Sequence, residues 1–405
     1  MNSTAAQHNM VRVLLIDDDE GIRTTQQVNL AERLSDRGIM AEVDVAATLS
    51  EAREKLQSTP YDVAIVDLRF DQVGAASDEG GNDVIREITT TQVIPIIVYS
   101  GFPDDLLDKY RHEGLIYVAE KKRVEVLVHQ IESWIQQRVF EIFSESGPLS
   151  RELRKAIQRT MWGHISKYWG SFQHEDSSAL YRTIARLFAT ILRDQLSSDP
   201  ALAEVSGEVT IHPGESYIFS TPRRFLSPGD ILQLDGGLWA VLTPACDLVP
   251  RADGNAKATR VLLAHLDSYA EIAKGSAGSE LRAQFRSLKD ADPSKQSKAR
   301  EFFARMLRHD YKNADARRFF LTPFASFTGG AVDFLALRVA DYTPSVIGTL
   351  VSSRIVSLNP TLAAELSTRF SRFFNRLGQA PYDAVAVSQV MLALQTEILT
   401  DDETK

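Results

Sequence analysis

Apolar residues along the first third of the chain fall into short runs, each closed by a polar residue and followed by a helical pattern. Val11-Arg-Val-Leu-Leu-Ile16 stops on Asp17-Asp18-Asp19-Glu20, and Val63-Ala-Ile-Val66 stops on Asp67. Ile94-Pro-Ile-Ile-Val-Tyr99 ends at Ser100-Gly101, and Ile116-Tyr-Val-Ala119 runs through Glu120 into Lys121-Lys122. The intervening spacing predicts helices over 22–36, 49–58, 82–90, 104–112 and, longer than the rest, 124–144. Buried strands alternating with helices describe an α/β fold on a parallel sheet, with a site at the strands' carboxyl edge.

Gly147-Pro148 breaks the last of these helices and marks a domain boundary. The sequence thus divides into an α/β domain over 1–146, a helical connector over 147–200 and an α+β domain over 201–405. In the connector, amphipathic helices are predicted over 149–172 and 178–196, with Ser177-Ser178 as the cap of the second. They suit either a dimerising hairpin or a simple helical layer. Beyond residue 204 the pattern shortens to strands at 208–211, 216–219, 230–234 and 238–242, punctuated by Pro213-Gly214, Pro228-Gly229 and Gly236-Gly237. That spacing predicts a small antiparallel barrel or sheet. A charged helical stretch over 276–316 contains an expected loop at 293–298. Strands at 318–321, 332–339 and 355–358 and helices over 361–377 and 382–400 complete the chain.

The polar residues at the strand ends explain one another chemically. Clustered carboxylates suit Mg²⁺, a hard cation that takes oxygen ligands and keeps some water. A carboxylate can attack phosphorus and become an aspartyl phosphate, while a lysine and a hydroxyl hold the remaining phosphoryl oxygens. An acid pair, a lone Asp, a hydroxyl and a Lys, in that order, make a site for Mg²⁺ and a phosphoryl group.

On these residues the first 140 or so positions resemble the receiver domain of a bacterial two-component response regulator. Leu-Leu-Ile-Asp17-Asp18-Asp19-Glu20-Gly-Ile-Arg23 is similar to that family's opening motif. The resemblance implies a doubly wound α/β fold with a five-stranded parallel sheet, with Asp17 and Asp18 as the acidic pair and Asp67 as the phosphoacceptor. The backbone carbonyl of Arg69 would join Asp17, Asp18 and Asp67 around Mg²⁺. Ser100 matches the hydroxyl that reads the phosphoryl group. Lys121, seven residues after Gly114, matches the site lysine, with Lys122 as the alternative. Departures are also visible. Lys122 stands where the family usually has Pro, so a trans peptide is expected. The aromatic switch position falls on Val118, with Tyr117 one residue off, and the loop after Asp67 is longer than usual.

The second half offers weaker candidates. Trp239-Ala-Val-Leu-Thr-Pro-Ala-Cys-Asp-Leu248 would present Cys246, either as a nucleophile with His212 or His265 as base or as a small buried packing residue. Asp247 would cap a turn or bind metal. Arg369, Arg372 and Arg376 share one helical side, and Arg223-Arg224 lies in a strand-joining loop. Each could contact phosphates or form a solvated edge. The Thr-Pro-Ala-Cys-Asp-Leu segment, Arg318-Phe-Phe-Leu-Thr-Pro-Phe324 and Arg369-Phe-Ser-Arg-Phe-Phe-Asn-Arg-Leu-Gly378 resemble bacterial output regions fused to receivers, a resemblance that supplies no mechanism.

Charge sharpens the division. Residues 1–143 hold 14 Lys and Arg against 25 Asp and Glu, a balance of −11; the remainder holds 31 against 29, or +2. The near-neutral second half lacks the basic bias of a DNA-binding domain. One cysteine excludes an internal disulfide, and with no signal-peptide pattern or spanning stretch a cytoplasmic protein is expected. The expectation for the whole is a response regulator, phosphorylated on Asp67 by a histidine kinase, a phosphotransfer protein or a small phosphodonor. It would control a non-catalytic interaction domain and act as a homodimer. The alternatives are a phosphorylation-gated enzyme acting on nucleic acid or a nucleotide, and a phosphate-independent pseudo-receiver scaffold.

Overall fold

The computed structural model describes residues 10–69, 80–111, 113–144, 147–172, 176–198, 211–275, 278–309, 316–375, 383–388 and 391–392. Contacts divide the chain into two units, Met1–Glu208 and Val209–Lys405.

The first unit is built on β1 (Val11–Ile16), α1 (Glu20–Asp36), β2 (Ala41–Ala46), α2 (Leu49–Ser58), β3 (Val63–Val66), α3 (Gly80–Thr91), β4 (Ile96–Ser100), β5 (Ile116–Glu120) and α4 (Glu125–Gln136). Its five strands are parallel in the order β2-β1-β3-β4-β5, the doubly wound arrangement of a receiver. Ile16 lies opposite Val66, and Ser100 opposite Glu120. That register sets Asp17 beside Asp67, and Ser100 beside the residue that precedes Lys121. Two apolar layers cover the sheet. Leu30, Leu34, Leu127, Ile131 and Trp134 pack on one face, and Leu56, Val84, Ile85, Ile88 and Tyr110 on the other.

Two expected helices differ. Instead of a helix over 104–112, the β4–β5 connection makes two 3-10 turns, Pro103–Asp105 and Asp108–Tyr110. Asn82 supplies the cause: its Nδ2 donates to the Asp105 carbonyl at 3.0 Å and its Oδ1 accepts from the Leu107 N–H at 3.2 Å. A continuous helix would have used both backbone groups itself. The predicted helix over 124–144 is broken as well. Arg138 adopts a left-handed backbone (φ 61°), and α4 gives way to α5 (Val139–Phe143).

Gly147 turns the chain again within this unit. A Cβ there would lie 2.5 Å from the Glu141 carbonyl oxygen and 2.7 Å from that of Ile142, so glycine permits the close approach. Next come α6 (Pro148–Gln158), a π-helical stretch (Arg159–Ile165), a 3-10 turn (Ser166–Tyr168), α7 (Trp169–Phe172) and α8 (Ser177–Ser198). Asp176, rather than the serines, caps α8 by accepting the Ala179 N–H. Gln195, buried on α8, accepts from Arg159 at 2.8 Å and donates to the Glu152 carbonyl at 3.2 Å, fixing the hairpin's register.

The second unit contains β6 (Tyr217–Ile218), β7 (Asp230–Leu234), β8 (Gly237–Val241), α9 (Ala245–Leu248), β9 (Arg260–Asp267), α10 (Tyr269–Lys274), α11 (Ser279–Ser287) and α12 (Pro293–Leu307). It continues with β10 (Arg318–Leu321), β11 (Gly330–Asp341), α13 (Pro344–Ser352), β12 (Arg354–Leu358) and α14 (Pro360–Asn375). The strands form one antiparallel sheet, β10-β11-β9-β8-β7-β12-β6, which does not close into a barrel. β9, which the sequence reading omits, lies near its centre. The expected loop over 293–298 is instead the first turn of α12: Asp292 caps it through the Ser294 N–H, and Pro293 sits where its missing N–H costs nothing. The predicted strand over 208–211 lies mostly outside the described residues. Of the last predicted helix, residues 384–388 and 391–392 are described, as helix.

Candidate phosphoryl and metal site

The acidic run after β1 is sorted into separate tasks. Asp17 is buried, and its Oδ1 accepts the Asp19 N–H at 3.0 Å. Asp18 is exposed beside it. Asp19 caps α1 by accepting the Ile22 N–H at 2.9 Å, and Glu20 opens the helix. From the second turn of α1, Arg23 donates to the Asp17 carbonyl at 2.7 Å and holds the β1–α1 turn in place.

Carboxylate oxygens of Asp17, Asp18 and Asp67 lie within 4.8 Å of one another. Lys121 reaches the cluster from the end of β5, with its ammonium hydrogen-bonded to Oδ2 of Asp17 and 3.0 Å from Oδ2 of Asp67. Lys122 turns outward to Glu120 at 2.6 Å. Burial works against charge on Lys121, but the hydrogen bond to Asp17 and the fields of Asp67 and Asp17 outweigh it and hold the ammonium above its usual range. For Asp17 burial is the larger influence and lifts the carboxyl above its ordinary value, against the opposing pull of Lys121.

Oδ1 of Asp67 is buried and has no hydrogen-bond partner. Left alone, such an atom is costly. A three-carboxylate oxygen set that includes one bare oxygen fits a hard divalent cation such as Mg²⁺. Ser100 is fully buried at the end of β4; its carbonyl accepts the Lys121 N–H at 2.9 Å, and its Oγ accepts the Phe102 N–H at 3.3 Å. Gly81 opens the floor under the phosphoacceptor. A Cβ there would collide with the Asp67 carbonyl oxygen and come within 2.5 Å of the Leu68 Cα.

Two residues near this site, Arg69 through its side chain and Asn82, have roles the sequence does not announce. The Arg69 side chain points away from the carboxylates, its Nε 2.8 Å from Oδ2 of Asp105 and its guanidinium carbon 3.2 Å from the centre of the Phe102 ring. Asn82 grips the same connection from α3. Their common signal was the long Asp67–Gly81 interval, which reads only as an insertion until its spatial neighbours are known. Tyr117 is exposed on β5 and Val118 packs inward, so neither stands as a buried aromatic switch.

The candidates of the second unit are engaged separately. Cys246 is exposed rather than buried, 3.8 Å from Asp247, which pairs with Lys257 at 2.8 Å. Neither histidine proposed as its base is its hydrogen-bond partner: His212 accepts the Gly214 N–H, and Nδ1 of His265 lies 2.9 Å from Asp267. Arg223 joins Arg354 and Ser357 around fully buried Asp230, at 2.7, 3.2 and 2.6 Å, a cross-strand brace rather than an open anion site. Arg369 pairs with Glu365 at 2.8 Å, Arg372 is exposed, and Arg376 lies outside the described residues.

No protein-family model matches the chain, and no curated protein does. Similar solved structures match the N-terminal third of the chain. The Erythrobacter litoralis PhyR response regulator REC domain is 21% identical, over 31% of this chain and 91% of that one, with a TM-score of 0.26. Response regulator TrrA from Thermotoga maritima, solved in complex with Mg²⁺-BeF, is 25% identical over 31% and 98% (TM-score 0.23). The signal receiver domain of an HD domain-containing protein from Pseudomonas fluorescens Pf-5 is 21% identical over 32% and 97% (TM-score 0.27). The receiver fold of this unit rests on its own strand order and register. No described helix is long and apolar enough to cross a membrane.

Proposed function

We propose that the chain is a response regulator whose first unit accepts a phosphoryl group on Asp67 with the help of Mg²⁺. The observation that carries this reading is the bare Oδ1 of Asp67 beside Asp17, Asp18 and Lys121. Asp17, Asp18 and Asp67, with the Arg69 carbonyl, would hold Mg²⁺, which when bound supplies positive charge that offsets the phosphoryl oxygens. An Asp67 carboxylate oxygen forms the new P–O bond. The bond from phosphorus to the donor breaks, and its electron pair leaves with the donor, a phosphohistidine imidazole or the acyl group of a small phosphodonor. Lys121 supplies a second cation, and Ser100 exchanges its hold on the Phe102 N–H for a phosphoryl oxygen. The partner that fits is a histidine kinase or phosphotransfer protein, in a cytoplasmic setting. Incubation with acetyl phosphate and Mg²⁺ should give a hydroxylamine-sensitive adduct that Asp67→Asn abolishes; an adduct that survives this change rules the assignment out. A pseudo-receiver scaffold would instead show no change in melting temperature with beryllium fluoride and Mg²⁺.

Homodimerisation through the helical hairpin is part of the same reading. Met161, Trp162, Tyr168, Trp169 and Tyr181 are all exposed on these helices, a concentration of apolar side chains that a second copy would cover. Sedimentation showing a monomer at every concentration, with or without phosphodonor, would contradict it. The second unit is read as a non-catalytic interaction domain, a reading supported by the separate structural partners of Arg223, Asp247 and Arg369. Cys246→Ala should leave its cellular output intact, whereas a cysteine-dependent enzyme would lose it.

A further inference from the structure

We infer that Arg69 is a positioning residue that ties occupancy of the carboxylate site to the conformation of the β4–β5 connection. The inference rests on the Mg²⁺ reading above. Arg69 stands two residues after Asp67, so its backbone belongs to the strand-end loop that carries the phosphoacceptor. Its side chain belongs to the neighbouring connection: the guanidinium stacks on Phe102 at 3.2 Å and pairs with Asp105 at 2.8 Å. Asn82, nearly fully buried, adds hydrogen bonds to the Asp105 carbonyl and the Leu107 N–H. Residues 102–107 are therefore gripped from both ends of the Asp67–Asn82 interval. They are also joined to the candidate phosphoryl site directly, through the Phe102 N–H on Ser100 Oγ.

The two grips differ in strength. Asn82 makes buried hydrogen bonds and holds firmly. Arg69 and Asp105 are each about two-fifths exposed (41% and 42%), and Phe102 is half exposed, so this contact is weak and easily exchanged. A weak contact that links two loops suits a two-state element, because a modest difference in ligand affinity shifts its population. A cation that draws the Arg69 carbonyl toward the carboxylates moves the backbone from which this side chain hangs. A phosphoryl group that recruits Ser100 Oγ removes the hydrogen bond that holds Phe102 beneath it. Both events act on one stack.

Hydrogen–deuterium exchange on the full chain tests the inference. In EDTA, Arg69→Ala and, separately, Phe102→Leu should raise exchange across 101–111 by about threefold, the loss expected of one weak surface contact. Exchange equal to wild type in both variants would overturn the clasp, whether or not the protein binds Mg²⁺. With Mg²⁺ alone as the probe, wild-type exchange over 101–111 should change saturably. Arg69→Ala should uncouple that change and weaken Mg²⁺ binding several-fold, while Arg69→Lys, which keeps the charge and loses the planar stack, should fall between. Arg69→Ala that binds Mg²⁺ and alters 101–111 as wild type does would refute the coupling. Wild type that binds no Mg²⁺ would refute the coupling together with the metal reading and leave the EDTA result standing.

Discussion

Lys121 lays its ammonium 3.0 Å from Oδ2 of Asp67 and leaves Oδ1 of the same carboxylate buried and bare. One oxygen of the proposed phosphoacceptor is thus compensated, and the other is available. Replacing Lys121 by Ala strips the counter-charge from two poorly solvated carboxylates at once. Stability in EDTA should fall by about 3 kcal/mol, the lower end of what breaking a buried ion pair costs. Mg²⁺ should then raise the melting temperature more in the variant than in wild type, because the cation replaces the missing charge. Equal increments would show that Lys121 does not compensate the cluster.

Asp17→Asn should act in the opposite direction. The folded-state pKa of Asp17 lies above its ordinary 3.8. Its contribution to stability is therefore fully present below that value and is lost as pH rises through the higher folded one. At neutral pH burial of the charged Asp17 weakens the metal-free fold, so the amide should stabilise it in EDTA and abolish most of the gain from Mg²⁺. Urea unfolding at pH 7 with and without Mg²⁺ measures both effects.

Gly81→Ala should be among the most damaging single-methyl changes in the first unit. The added Cβ meets backbone atoms of Asp67 and Leu68, which cannot move without displacing the end of β3. A loss of about 2–3 kcal/mol is expected for forced overpacking, accompanied by weaker Mg²⁺ binding. A variant as stable as wild type would show that the α3 terminus shifts freely.

His309 predicts an acid-sensitive second unit. Its ring stacks on Phe319 with centroids 4.4 Å apart, and its Nε2 is buried without a partner. Burial, reinforced by the Arg369 charge, lowers its pKa from 6.5 to about 4. Between those values the unfolded chain takes up a proton that the folded one refuses, so stability should decline as pH falls from about 6.5 to about 4 and then level off. The loss should be on the order of 3 kcal/mol. His309→Asn removes the titration while tolerating the left-handed backbone (φ 54°) at this position. Urea midpoints that retain the same acid slope in the variant would place its origin elsewhere.

Asp230→Ala tests the brace between β7 and β12. Removing the carboxylate strands Arg354, whose side chain is 8% exposed, and releases Arg223 and Ser357. A loss of about 3–5 kcal/mol is expected for an orphaned buried charge, read as a lowered unfolding midpoint of the second unit.

The first unit was legible because its strands are apolar runs with polar stops, and because Ile16 and Val66, the last residues of two such runs, pair in register. Asp17, Asp67 and Lys121 met as their spacing implied. The helix expected over 104–112 was misread because its fate depends on Asn82, twenty-odd residues upstream and invisible to local periodicity. β9 was missed for another reason. Val261-Leu-Leu-Ala-His-Leu266 has no strict alternation, and a mostly apolar run of this kind does not distinguish a central strand from a buried helix. Arg223 looked like a loop cation because its counter-charge, Asp230, opens the following strand and is completely enclosed only after β12 pairs with it.

Arg138 and Gly147 give the route out of the receiver sheet its character. A straight helix from residue 124 onward would transmit rotation about its own axis, as a shaft does. Instead the backbone reverses hand at Arg138 and is pressed against the carbonyls of Glu141 and Ile142 at Gly147. The two bends leave α4 and the helices of the hairpin without a common axis, so no continuous rod joins them. A side chain at Gly147 would have to displace the carbonyls of Glu141 and Ile142, which belong to this corner and not to the carboxylate site.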